Sequence, residues 1–382
     1  MNNSTDISPF HVMDILARCK EMEAQGIDVI HMEIGEPDFS TPKPIINAGI
    51  NALNNNKTHY TSAIGMFELR QKISQYYQTN FSITVPPEQI VITPGASGAL
   101  QLVLSYVLQM KKGIMVCDPT YPCNSNVAKL FGGNVVAIPV GEETEYQLTL
   151  ELVKSNWQED MIAVLVSSPS NPTGTLCSQE QLLEIAAFLK NKGAFLIVDE
   201  IYQGLTYGID SQTVANSQDN IFVLNSFSKY FGMTGWRVGW LCVPANDVAQ
   251  VDAVAQNTYL ATSTIAQYAA LAAFNNETLA VLEDRRKAFM GRRDLLCQSL
   301  SEIGVKVPVV PQGAFYVYAN ISEYSEDSFA FCQQLLEEKG LAITPGCDFG
   351  DSHAEKYVRF AYTTSEERIR QGMDRLRAFL QP

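Results

Sequence analysis

Ile221-Phe222-Val223-Leu224-Asn225-Ser226-Phe227-Ser228-Lys229 joins an apolar run to two serine hydroxyls and a lysine, and Arg237 follows in Met233-Thr234-Gly235-Trp236-Arg237-Val238-Gly239-Trp240. The run is short, continuous and bounded by polar residues, which predicts a buried strand. Lys229 then projects from a strand end, where ligands sit in open α/β sheets. A lysine, two hydroxyls and an arginine so placed suit an amine that holds an aldehyde as a Schiff base while its neighbours grip a phosphate. Read alone, the segment also fits an exposed loop lysine.

Working outward, six more apolar runs alternate with helical patterns between about residues 65 and 245. They are Ile90–Ile92, Ile114–Cys117, Val135–Ile138, Ile162–Val166, Phe195–Val198 and Val238–Leu241. Unalternating runs separated by helices predict an α/β fold with a mostly parallel seven-stranded sheet, covered by helices on both faces. Past residue 275 a long charged helix around Asp284–Leu300 precedes strand-like Ala314–Tyr318 and Tyr357–Ala361, a smaller α+β module. Before the sheet, an irregular polar arm leads into a helix whose Met13, Leu16, Ala17, Cys19 and Met22 recur at helical spacing up to Gly26. The 382 residues exceed one compact core of common size. The expected division is 1–45 for the arm and the start of a small domain, 46–275 for a large domain, and 276–382 for the rest of the small domain. No repeat or flexible linker separates them.

Composition narrows the function classes. The formal net charge of −14 repels polyanions, so nucleic-acid binding is not expected. No apolar stretch is long enough to cross a bilayer. Residues 1–10 have neither a basic start nor an apolar core, so the expectation is no secretory signal and a cytoplasmic protein. The eight cysteines are scattered rather than paired at metal-binding spacings, which predicts reduced thiols and no structural zinc.

Four polar clusters each follow a predicted strand: Gly95-Ala96-Ser97-Gly98, Ser170-Asn171-Pro172-Thr173-Gly174, Asp199, and Ser226 to Lys229. In a parallel sheet they gather on one edge and form one site. The first opens an apolar helix and can offer backbone amides to a phosphate, or be a plain strand-to-helix turn. Asp199 ends an uncharged strand, where a carboxylate needs a cation or caps the next segment.

The chain also carries Gly35-Glu36-Pro37-Asp38-Phe39, His59-Tyr60-Thr61-Ser62-Ala63-Ile64-Gly65 with Leu69-Arg70, Asn171-Pro172-Thr173-Gly174, Asp199-Glu200-Ile201-Tyr202 and Tyr357-Val358-Arg359-Phe360. With Ser226 to Lys229, this set resembles the class I aminotransferases over nearly the whole chain. These are fold-type I enzymes that use pyridoxal 5′-phosphate. The resemblance implies that Lys229 is the covalent anchor and the general base. It implies that Asp199 keeps the cofactor's ring nitrogen protonated, that Asn171 and Tyr202 bind its phenolic oxygen, and that Tyr121 stacks on its ring. Tyr121 is otherwise a packed tyrosine. Ser226, Arg237, Ala96 and Ser97 would hold the phosphate. Tyr60 resembles a tyrosine that reaches the phosphate from a neighbouring subunit, which implies a homodimer with shared sites.

Arg359 would clamp the substrate α-carboxylate, with Gly35 in close backbone contact; without the resemblance it reads as a solvated arginine on an edge strand. No metal is implied. The implied reaction passes an amino group between an L-amino acid and a 2-oxo acid by a ping-pong cycle, with glutamate and 2-oxoglutarate as one pair. Dicarboxylate-specific relatives need a second cation for the distal carboxylate, and Gln256 to Thr264, the stretch that could supply it, has no arginine or lysine. That points to a neutral or aromatic partner substrate, with Tyr259 and the arm around Ile7 to Phe10 in its pocket, or Thr262 and Ser263 at a neighbour's phosphate. A carbon–sulfur lyase on the same fold is the alternative enzyme. A cofactor-sensing regulator would call for a DNA-binding segment, and none is read.

Overall fold

The computed structural model describes Ile7 and residues 10–381. Most of the polar arm, residues 1–6, 8 and 9, lies outside the described residues.

All seven apolar runs are strands of one sheet. In spatial order they are Ile90–Thr93, Gly239–Cys242, Ile221–Ser226, Phe195–Asp199, Met161–Ser167, Gly113–Asp118 and Asn134–Pro139. Gly239–Cys242 runs opposite in direction to the other six strands. The five central strands are buried at every residue except the half-buried Phe195, because helices cover both faces. Local chemistry sets the helix starts. Thr149, Ser178, Ser263 and Ser365 each accept a backbone N–H of the first turn through their hydroxyls, and Asp327 does so through its carboxylate.

A second core lies around a three-stranded antiparallel sheet, Thr344–Pro345, Tyr357–Ala361 and Tyr316–Asn320, with a short parallel pair of Ile30–His31 and Leu341–Ala342. Helix Asn276–Ile303 joins the two cores: Leu282 packs in the first, and Phe289, Leu296, Leu300 and Ile303 in the second. It ends at Gly304, whose φ of 93° is the left-handed conformation that closes a helix at low cost without a Cβ.

Three details differ from the sequence reading. Helix His11–Ala24 buries Ile15, Cys19 and Met22, while Met13 is 55% exposed, because the i, i+4, i+7 stripe facing the second core begins at Ile15. The strand expected from Ala314 begins at Tyr316, since Ala314 takes a left-handed φ of 57°. Tyr357–Ala361 is a central strand rather than an edge. Arg359 faces Thr344 on one side and Tyr318 on the other, so it is buried instead of solvated. Among the described residues, no helix is long and apolar enough to cross a membrane.

Candidate active site

The strands ending at Thr93, Ser167, Asp199 and Ser226 point the same way, so the residues that follow them meet at one edge of the sheet. The antiparallel strand delivers its start there instead: Gly239 pairs with Ser226, which places Arg237 beside the Ser226 turn. A cavity of about 630 Å³ opens at this edge. Lys229, Asp199, Tyr202, Ala96, Ser97, Tyr121, Asn171, Ser226, Arg237, Gly35 and Arg359 all line it.

One end is built for an anion. Ala96 and Ser97 lie in the first turn of helix Gly95–Val107, whose backbone N–H groups and dipole attract negative charge. Gly95 has φ of 72°, and a Cβ there would sit 2.5 Å from Arg237 Nη2, so only glycine lets the turn approach the guanidinium. Ser226 Oγ donates to Ser228 Oγ at 2.9 Å, and Arg237 Nη1 donates to Thr234 O at 3.0 Å and Ser228 Oγ at 3.4 Å. Arg237 itself holds a left-handed φ of 52°, a strained conformation for a non-glycine.

In the middle, Lys229 Nζ donates to Gly35 O at 2.6 Å. Burial lowers its ammonium to about 8; Glu36 opposes the shift, and Arg359 and Arg237 add to it. Burial pushes the Asp199 carboxyl up to about 7, against the Ile201 N–H that Oδ1 accepts at 3.0 Å and the charge of Lys229. No salt bridge reaches Asp199 among the described residues. A buried carboxylate in that state calls for a cationic hydrogen-bond donor.

At the far end, Arg359 lies between the rings of Tyr316 and Phe349, with Cζ 4.3 and 4.8 Å from their centroids. Nη1 donates to Asn171 Oδ1 at 2.8 Å, and Nη2 donates to Glu33 O and to Thr344 Oγ1 at 3.2 Å. Nε is buried without a partner. Tyr202 Oη and Tyr316 Oη share a hydrogen bond of 2.8 Å. A Cβ on Gly35 would fall 1.8 Å from Tyr316 Oη, so this backbone touches the phenol directly.

Tyr60 stands apart: it is 84% exposed and does not line the cavity of its own chain. Nor do Tyr259, Thr262 or Ser263. The Thr262 hydroxyl donates to Ile92 O at 3.1 Å, and Ser263 caps helix Thr264–Leu271. Of the arm, Phe10 lines the cavity and stacks on Tyr121 at 6.2 Å between centroids. Sequence reasoning missed Tyr316, Glu36 and Phe349, and it used Ser228 only as one of two hydroxyls near Lys229. Ser228 stood within the quoted Ser-Phe-Ser-Lys stretch, whereas Tyr316 reads as one more core aromatic of its strand.

An anion cradle, an amine shifted toward neutrality and a buried carboxylate without a cation fit the phosphate, aldehyde and ring nitrogen of pyridoxal 5′-phosphate. The comparisons agree. The sequence signature described as "Aminotransferase class I and II" matches residues 27–376. The chain is 37% identical over 374 residues to the (5-formylfuran-3-yl)methyl phosphate transaminase of Methanocaldococcus jannaschii, covering 97% of this chain and 96% of that one. It is 36% identical to the valine–pyruvate aminotransferase of Mycobacterium tuberculosis, covering 98% and 97%. It superposes on the Thermus thermophilus aspartate aminotransferase solved with maleate at a TM-score of 0.92, with 32% identity and coverage of 98% and 97%. The chain belongs to the class I and II aminotransferases, the pyridoxal-phosphate-dependent transferases of fold type I.

Proposed function

We propose that this aminotransferase moves an amino group between an L-amino acid and a 2-oxo acid in two half-reactions of a ping-pong cycle. Glutamate and 2-oxoglutarate form one pair, and a neutral or aromatic amino acid and its oxo acid form the other. The observation that carries this reading is the placement of Lys229, Asp199, Arg359 and the Arg237 cradle around one cavity.

Bound pyridoxal 5′-phosphate supplies an electron sink for the charge left at the substrate Cα. Ala96, Ser97, Ser226 and Arg237 hold its phosphate through amides, hydroxyls and a guanidinium. Asp199 pairs with the ring nitrogen and keeps a proton on it, while Asn171 and Tyr202 donate to the phenolic oxygen and Tyr121 packs on the ring. Lys229 would hold the aldehyde, and its free amine would take the proton from the substrate Cα. Burial shifts its ammonium toward neutrality, which suits a general base. Arg359 clamps the α-carboxylate through donors it does not spend on Asn171, Glu33 and Thr344, and Gly35 contributes a close backbone contact.

Two observations support the neutral or aromatic partner. Among the described lining residues the cations are Lys229, Arg237 and Arg359, each already occupied in this scheme. The remaining wall includes Phe10, Val12, Leu100, Val127 and Phe349. Tyr60, exposed on a chain that does not use it, supports a homodimer in which it reaches the neighbour's phosphate. A domain division at about residues 45 and 275 is supported by the shared core of residues 15–32 with residues 289–376, although Tyr202, Leu205 and Tyr207 join that core and Leu282, Tyr318 and Phe349 join the core of the large sheet. Eight free thiols suit a reducing compartment such as the cytoplasm.

The test gives the cofactor-loaded protein single ¹⁵N-labelled amino acids with 2-oxoglutarate and follows the label by mass spectrometry. Labelled glutamate from a neutral or aromatic donor is expected. No transfer from any donor defeats the reading, and pyruvate and ammonia released without an acceptor select the lyase chemistry.

A further inference from the structure

Beside the active site, helix His11–Ala24 and strand Ile30–His31 bring together a thiol, an imidazole and a carboxylate that the proposed reaction does not use. We propose that Cys19, His31 and Glu33 bind one zinc-class divalent cation.

The donor atoms Cys19 Sγ, one ring nitrogen of His31 and a Glu33 carboxylate oxygen all lie within 4.8 Å of one another. Cys19 and Glu33 are fully buried. His31 Nδ1 is 2.7 Å from Glu33 Oε1, and Glu33 Oε2 has no hydrogen-bond partner although it is shut off from solvent. A buried carboxylate oxygen left unpaired is unfavourable, and a cation would satisfy it. One sulfur, one imidazole nitrogen and one carboxylate oxygen form a ligand set of the kind zinc takes in tetrahedral sites. Metal–ligand bonds of about 2.0–2.3 Å separate tetrahedral donors by roughly 3.3–3.8 Å, so the widest pair closes by about 1 Å. The His31 side chain is 35% exposed, which leaves an approach for the ion and a place for water as fourth ligand.

The second ring nitrogen supports the same assignment. His31 Nε2 lies 3.1 Å from Glu23 Oε1, so a metal on Nδ1 leaves Nε2–H donating to a carboxylate, the outer contact that orients metal-binding histidines. Binding replaces the Cys19 thiol proton and the proton shared by His31 and Glu33, and both leave to solvent. Spacing in the sequence hides the set: the donors are 12 and 2 residues apart and come from a helix, a strand and the residue after its neighbour. The site also has a mechanical output. Glu33 O accepts from Arg359 Nη2 and from Thr344 Oγ1, so an ion gripping the Glu33 side chain stiffens the backbone that holds Arg359. This output rests on the proposed carboxylate role of Arg359, whereas metal binding itself does not.

The experiment adds cobalt(II) to metal-stripped, cofactor-loaded protein and records the difference spectrum and the metal retained after gel filtration. One cobalt per chain is expected, with sulfur-to-metal charge-transfer and tetrahedral bands that zinc displaces. Both signals vanish in Cys19→Ala and in His31→Asn, and Glu23→Gln weakens binding about 10-fold. If Cys19→Ala does not fold, His31→Asn decides alone, because that ring is partly solvent-facing. No retained metal overturns the proposal, and so do bands that persist in His31→Asn, which would place the ion on an exposed thiol such as Cys347.

Discussion

Replacing Arg359 by lysine keeps the positive charge and removes the fork. In the structure the guanidinium is stacked between Tyr316 and Phe349 and held by Asn171, Glu33 and Thr344, which fixes the direction of its remaining N–H groups. A lysine ammonium is a point charge on a flexible stem and can satisfy only part of this set while facing a carboxylate. The loss is one of two charge-assisted hydrogen bonds to the substrate, about 1.5–3 kcal/mol, or roughly 10- to 150-fold in half-saturation. The assay is a single half-reaction: amino acid alone is mixed with cofactor-loaded enzyme, and the cofactor absorbance is followed at increasing substrate. The half-saturating concentrations of amino and oxo acids should rise together, with cofactor content per chain unchanged. Unchanged half-saturation, or loss of cofactor with normal substrate affinity, would refute the assignment of Arg359 to the substrate carboxylate.

Three further perturbations test the rest of the site. Between the unfolded carboxyl value near 3.8 and about 7, native apoprotein binds more protons than the unfolded chain at Asp199, so this group's stabilisation declines as pH rises through that window. Asp199→Asn removes that slope from thermal unfolding of the apoprotein. Glu200, raised by burial to about 8, contributes a slope of the same sign in both proteins, and identical pH profiles would contradict the placement of Asp199. Gly35→Ala drives a Cβ into Tyr316 and breaks its 2.8 Å bond to Tyr202, so kcat/KM should fall more than about 10-fold, and adding Tyr316→Phe should restore part of it; normal kinetics would show the contact to be slack. Mixing inactive Lys229→Ala and Tyr60→Ala chains after unfolding and refolding should recover about a quarter of wild-type activity, since half the dimers carry one intact site. No recovery would mean that Tyr60 acts within its own chain, and an active Tyr60→Ala protein before mixing would mean that it has no role.

The large sheet was legible because each strand is a continuous apolar run, the pattern that burial on both faces imposes, and the strand-end rule then gathered Asn171, Asp199, Ser226 and Lys229 before any coordinates. The smaller sheet was less so. Arg359 read as an edge residue because its second neighbour is a strand of two residues, Thr344–Pro345, too short to carry a period. The pairing of Ile30–His31 with Leu341–Ala342 spans most of the chain and leaves no local mark. Tyr316 was hidden for a different reason: an aromatic in a strand signals burial, and only the contact with Gly35 and the hydrogen bond to Tyr202 reveal a polar task. Tyr60 is 84% exposed and leaves no mark in its own chain, while Tyr259, expected in the substrate pocket, packs instead against the core around Val251 and Ala255.

Helix Asn276–Ile303, rooted at one end in each core, is about 42 Å long at 1.5 Å per residue. A rod anchored this way makes the two halves of the enzyme a lever and its fulcrum. Any movement of one half against the other would have to turn about this rod, since sliding would draw Leu282 or Phe289 out of its packing.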